Sequence, residues 1–94
     1  MRIRYRLWII AALAGVAMAP PVWADDAQDR QWCAGGRTEP DIRIGACSRL
    51  LKSGRFGDAN MAVFFRKRGA AHFEKRQYDR AIQDYDQTIR LKPD

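Results

Sequence analysis

Apolar residues recur at helical spacing in three stretches of the chain that follow residue 39. The first stretch begins near Pro40, and its apolar face consists of Ile44, Cys47, Leu50 and Leu51. Proline suits the first turn of a helix because it has no N–H group to satisfy, and Thr38 is a candidate cap just before it. Ser53-Gly54 predicts the end of this helix, since glycine readily adopts the left-handed conformation that follows a last turn.

Two further amphipathic stretches predict a second helix over about 60–75 and a third over about 78–91. Asp58 or Asn60 can cap the second helix, and Pro93 stops the third. The apolar members of the second helix are Met61, Phe64, Phe65, Ala71 and Phe73, and the predicted inner side of the third carries Ala81, Ile82, Tyr85, Ile89 and Leu91. Arg80 and Asp84 lie four residues apart, as do Asp86 and Arg90, which predicts two ion pairs within the third helix. No alternation typical of strands competes with these patterns, so the predicted fold class is all-α.

The first 24 residues have the layout of a secretory signal peptide. Arg2, Arg4 and Arg6 precede an uncharged apolar run over 7–18, and Val22-Trp23-Ala24 provides small residues at a cleavage site. The alternative is an uncleaved membrane anchor, but a bilayer span takes about 20 apolar residues. We therefore expect cleavage after Ala24, no stable membrane span in the mature protein, and a periplasmic or secreted location.

Part of the positive charge of the chain lies in this predicted signal peptide. The 94 residues carry a net charge of +6, which falls to +3 without the three leader arginines. A surface of mixed sign with so small an excess does not indicate nucleic acid as a partner. The remaining length provides one small domain.

Cys33 and Cys47 are the two cysteines of the sequence. In an exported chain an even count favours a disulfide, whereas two free thiols are the alternative. The spacing is not that of a redox Cys-x-x-Cys pair, and His72 is the single histidine, so a zinc site lacks ligands. A bridge would close a loop of about 15 residues and stabilise the chain by about 3 kcal/mol. It would connect a predicted loop over 25–37 to the helix that carries Cys47.

The last two predicted helices resemble a tetratricopeptide repeat over 62–94. Gly69, Ala81 and Pro93 match that repeat directly, while Phe65 stands for its tryptophan and Tyr85 for its phenylalanine. Arg68 and His72 depart from the pattern, because each replaces a more apolar residue. The resemblance implies a helix-turn-helix hairpin of the α-α solenoid type, with His72 among the packing positions; a generic helical hairpin is the alternative.

Small residues give the predicted hairpin a physical basis. Gly69 and Ala81 would face one another where the helices approach, and Phe65, Ile82 and Tyr85 would fill the space beside them. A glycine inside a helix costs about 1 kcal/mol relative to alanine, which close packing would explain.

The helix that begins near Pro40 resembles a degenerate copy of the last helix. Ile44, Cys47 and Leu51 align with Ile82, Tyr85 and Ile89 at an offset of 38 residues. The predicted organisation is therefore a signal peptide over 1–24, a loop and a degenerate half repeat over 25–58, and a single repeat over 59–94.

The resemblance implies recognition of a partner peptide or helix by a non-catalytic module. Carried over to this chain, the candidate binding residues are Val63, Arg66, Ala70, Phe73 and Glu74. For any one of these positions, a solvated helix face is the alternative interpretation. A self-associating structural stub, or a fragment of a longer repeat array, are alternatives for the whole chain. The sequence presents no catalytic constellation, no metal-ligand cluster and no cofactor motif, so we expect neither catalysis nor a cofactor.

Overall fold

The computed structural model describes residues 22–36 and 38–92, and within these ranges the protein is built from α-helices without a strand. The helices are α1 (Val22–Ala34), α2 (Pro40–Ser53), α3 (Asp58–Glu74) and α4 (Tyr78–Leu91). The all-α prediction is therefore confirmed. None of these four helices is long and apolar enough to cross a membrane. Pro93 and residues 1–21 of the predicted signal peptide lie outside the described residues.

Helix α1 occupies most of the segment that the sequence pattern predicted to be a loop, so that prediction was wrong. The segment lacks a clear apolar stripe, but ion pairs to later parts of the chain hold it. Arg49 donates to both carboxylate oxygens of Asp29, the closest contact being 2.8 Å, and this hydrogen bond raises the pKa of Arg49. Arg55 makes a similar contact with Asp26. These contacts join residues more than 19 positions apart, which local periodicity does not reveal.

A disulfide between Cys33 and Cys47 joins α1 to α2, which confirms the predicted bridge. Both cysteines are buried, at 1% and 0% exposure. They belong to a core cluster whose other buried members are Ala46, Leu50 and Phe64, with Trp32, Leu51 and Phe56 packed against it. The hydrophobic core therefore lies where α1, α2 and α3 meet.

The beginnings of α2 and α3 differ from the predicted caps. Glu39 precedes α2, no side chain caps this end, and the carbonyl of Thr38 accepts a hydrogen bond from Arg43 instead. At α3, Gly57 occupies the cap position in an extended conformation, so neither Asp58 nor Asn60 caps the helix. The ends fit the pattern better, because α2 stops at Ser53 and Gly54 follows with φ of 69°.

Helices α3 and α4 form a helical hairpin around Gly69. A Cβ atom at Gly69 would lie 3.0 Å from Tyr85 Cε1 and 3.2 Å from Asp84 Cβ. Close approach therefore does occur at this glycine, but the nearest neighbours are Tyr85 and Asp84 rather than the predicted Ala81. Ala81 is itself buried at 2% exposure. Among the described helices, α4 packs against α3 alone.

Candidate functional site

The predicted partner-binding residues lie along one side of α3, and we call Val63, Arg66, Ala70 and Phe73 the α3 surface. Val63 is 41% exposed and Phe73 is 57% exposed, whereas Ala70 is half-buried. The spacing of three, four and three residues places them on a common face. The buried residues Phe64 and Ala71 lie on a different side of the same helix. The core therefore fixes α3 in place while its other side remains open to solvent.

Glu74, the fifth predicted binding residue, is directed towards α2. Its carboxylate forms an ion pair with Arg43 at 2.5 Å, and the Arg43 side chain is 12% exposed. Lys75 next to it pairs with Asp41. Glu74 thus helps to hold α3 on α2 and lies at the margin of the α3 surface.

Exposed apolar side chains continue from α3 onto α4. The rings of Phe73 and Tyr78 meet edge to face with centroids 5.2 Å apart. Beyond this contact, Ile82 and Ile89 are 56% and 59% exposed. The prediction that these two isoleucines lie on the inner side of α4 was wrong, because α3 covers only the side that carries Ala81 and Asp84. We call Tyr78, Ile82 and Ile89, together with the half-buried Tyr85 that also contacts Gly69, the α4 stripe.

Two carboxylates follow the α4 stripe along one edge. Asp79 comes directly after Tyr78, and Asp86 comes directly after Tyr85. Both are exposed, and neither has an ion-pair partner among the described residues, so the predicted pair of Asp86 with Arg90 was wrong. This edge was not among the predicted binding positions, although the spacing of four, three and four residues along the stripe was a signal that could have identified it.

A partly buried polar network lies between α3 and α4. Arg68 donates two hydrogen bonds of 2.8 Å to the carboxylate of Asp84, which is 4% exposed. His72 is also buried, and its Nδ1 atom lies 2.7 Å from Oε1 of Gln77. The Arg68 guanidinium lies over the half-buried ring of Phe65, 5.4 Å from its centroid. Nε2 of His72 lies 3.9 Å from Oδ2 of Asp84, so Arg68 and His72, the two departures from the repeat pattern, approach the same carboxylate.

This network replaces the predicted ion pair between Arg80 and Asp84. Asp84 turns into the hairpin and is bound by Arg68, whereas Arg80 is exposed. Every buried side-chain nitrogen and oxygen of the described residues has a hydrogen-bond partner. The network is thus fully satisfied, and its geometry is that of a structural element.

The described residues contain no cluster of three or more His, Cys, Asp or Glu side chains that could hold a metal ion. The exposed large apolar side chains of the described residues include Val63 and Phe73 on α3 and Tyr78, Ile82 and Ile89 on α4.

A scan against protein-family models, a search of curated proteins and a search of solved structures each returned no match to this chain.

Proposed function

We propose that this chain is an exported, non-catalytic helical module of the tetratricopeptide type that binds a partner protein through the α3 surface. The observation that carries this proposal is the exposure of Phe73 and Val63 on a helix whose other side is anchored in the core. Aromatic side chains contribute strongly to binding when a partner removes them from water. A rigid helix lowers the cost of binding, because little ordering is left to occur.

The repeat assignment is supported by the close approach at Gly69 and by the burial of Ala81. Two antiparallel helices with small residues at their contact are what a repeat of this type requires. The preceding pair, α1 and α2, gives the chain a second hairpin in front of the first. In arrays of such repeats, neighbouring hairpins pack on one another, as α2 packs on α3 here.

Export is supported by the disulfide and by the composition of residues 1–24. A buried Cys33–Cys47 bridge persists in oxidising compartments. Intact-mass measurement of the protein isolated from the cell envelope tests this part of the proposal. A polypeptide that begins at Asp25 is the expected product, and a chain that begins at Met1 contradicts cleavage.

Site-specific photocrosslinking tests the binding surface. A photoreactive phenylalanine analogue replaces Phe73 or Val63 in the full chain in cells, and each of the two positions should give an adduct of one defined mass. The same analogue at Lys52, exposed near the end of α2, provides the control.

The surface assignment then rests on the pattern of adducts. Phe73→Ser in a protein that carries the analogue at Val63 should reduce the adduct several-fold, because the variant removes the main apolar contact. Adducts of equal yield at Lys52 and Val63, or none at either surface position, would contradict a specific α3 surface. An adduct with the mass of two copies of the chain would indicate self-association instead.

A further inference from the structure

One face of α2 is covered by α3, whereas the corresponding face of α4 is open to solvent. At the sequence offset of 38 residues, Asp41 and Ser48 of α2 correspond to Asp79 and Asp86 of α4. Ile44 and Leu51, which are half-buried, correspond to the exposed Ile82 and Ile89. The chain therefore contains both a covered and an uncovered copy of one surface.

The covered copy shows what kind of helix this surface accepts. Lys75, directly after α3, pairs with Asp41, and Arg68 of α3 donates a hydrogen bond of 3.1 Å to Ser48. The two contacts lie seven residues apart on each helix and occur in reverse order, so α3 runs antiparallel to α2. Ala71 is buried between them, and Phe64 is buried one turn before Arg68. The covering helix thus combines buried side chains with two cations spaced by two turns.

The exposed face of α4 has the same arrangement as the covered face of α2, with one more carboxylate. Along the α4 stripe, the spacing of four, three and four residues forms a seam into which a second helix can interlock. Asp79 and Asp86 border one edge of that seam, and both carry a carboxylate where α2 has one aspartate and one serine. The edge is therefore more acidic than its covered counterpart.

We propose that the α4 stripe binds a basic amphipathic helix, antiparallel to α4, with two Lys or Arg residues seven positions apart opposite Asp79 and Asp86. This inference concerns α4 and goes beyond the function proposed for the α3 surface. A second copy of the chain is a poor occupant, since α4 laid antiparallel on itself would place Asp79 opposite Asp86 of the other copy. Like charges in that position oppose pairing, whereas cations on a partner favour it.

A synthetic peptide with the sequence of residues 58–75 provides a probe, because it carries the charge and apolar pattern of α3. Fluorescence anisotropy measures its binding to the disulfide-bonded full chain. Asp79→Lys with Asp86→Lys should weaken binding by about tenfold or more, and Arg68→Glu with Lys75→Glu in the peptide should do the same. When the charge-reversed protein is mixed with the charge-reversed peptide, the two should bind with most of the original affinity. A protein with a folding defect would not regain binding in this way.

Two further measurements decide where the peptide binds. Asp41→Lys, at the equivalent place on α2, should leave the affinity unchanged, because an effect there would mean that the peptide displaces α3. Ile82→Ser with Ile89→Ser should abolish binding. Absence of peptide binding, equal binding by all charge combinations, or a dimer of the full chain that these serine variants dissociate would overturn the proposal.

Discussion

Arg68 and Asp84 form a two-point contact that joins α3 to α4, with Nε and Nη2 of the arginine each 2.8 Å from a carboxylate oxygen. Arg68 also donates a hydrogen bond to Ser48, so this one side chain connects three helices. Arg68 stands at a position where the tetratricopeptide pattern has a more apolar residue. A buried ion pair is a weak source of net stability, but removal of one partner leaves an uncompensated charge.

Asp84→Ala is therefore expected to lower the free energy of unfolding by about 3 kcal/mol, because Arg68 would lose its only carboxylate partner within the described residues. Urea denaturation followed by circular dichroism measures the change. Asp86→Ala is the matched control on the same helix, and it should change stability by less than about 0.5 kcal/mol because Asp86 is exposed.

Arg68→Leu combined with Asp84→Ala should be less destabilising than the sum of the two single changes, since the pair is then removed as a unit. Strict additivity of the two changes would show that Arg68 and Asp84 do not depend on each other.

The Arg68–Asp84 pair also shows why sequence patterns predict some contacts and not others. Because residues four apart can interact along a helix, the sequence predicts Arg80 as the partner of Asp84. The actual partner is 16 residues away on another helix, and its position depends on how α3 and α4 pack. A contact between side chains of two helices can be predicted only when the packing of those helices is known.

The bridge between Cys33 and Cys47 should make a large contribution to stability. It closes a loop of about 15 residues, so replacement of both cysteines by alanine is expected to lower the free energy of unfolding by about 3 kcal/mol. Urea denaturation of the oxidised protein and of the double variant measures the difference.

The reduced native protein serves as the control for the lost side-chain volume. It should resemble the double variant rather than the oxidised protein. A variant as stable as the oxidised protein would show that the ion pairs of α1 hold this helix without the covalent bond.

Helix α1 could not be predicted from the spacing of apolar residues. The helices after Pro40 follow from apolar spacing, because their inner residues recur every three or four positions. Asp26 and Asp29 of α1 instead bind Arg55 and Arg49 from elsewhere in the chain. A helix held by distant ion pairs and a disulfide has little periodic signal of its own.

Gly69→Ala tests the close approach within the hairpin. The new methyl group would lie 3.0 Å from the Tyr85 ring and 3.2 Å from Asp84 Cβ, which is fixed by the pair with Arg68. We expect a net loss of about 1 kcal/mol despite the higher helix propensity of alanine, because crowding of a packed contact costs more than that gain. Thermal unfolding provides the measurement.

Gly45→Ala is the matched control for Gly69→Ala. Its Cβ would meet only the end of the flexible Arg49 side chain, at 3.4 Å, so the substitution should stabilise α2 by up to about 1 kcal/mol. Changes of the same sign at the two glycines would mean that helix propensity, and not the contact with Tyr85, decides the outcome.

Leu50 and Ile82 provide the sharpest comparison between a covered and an uncovered apolar position. Leu50 is 1% exposed in the core, whereas Ile82 is 56% exposed on the α4 stripe. Leu50→Ala should cost about 3 kcal/mol of unfolding free energy through lost burial and a cavity. Ile82→Ala should change it by less than about 0.5 kcal/mol, since the side chain already faces solvent. Equal losses for the two variants in urea denaturation of the dilute protein would mean that Ile82 is covered in solution, by a second copy or by another part of the chain.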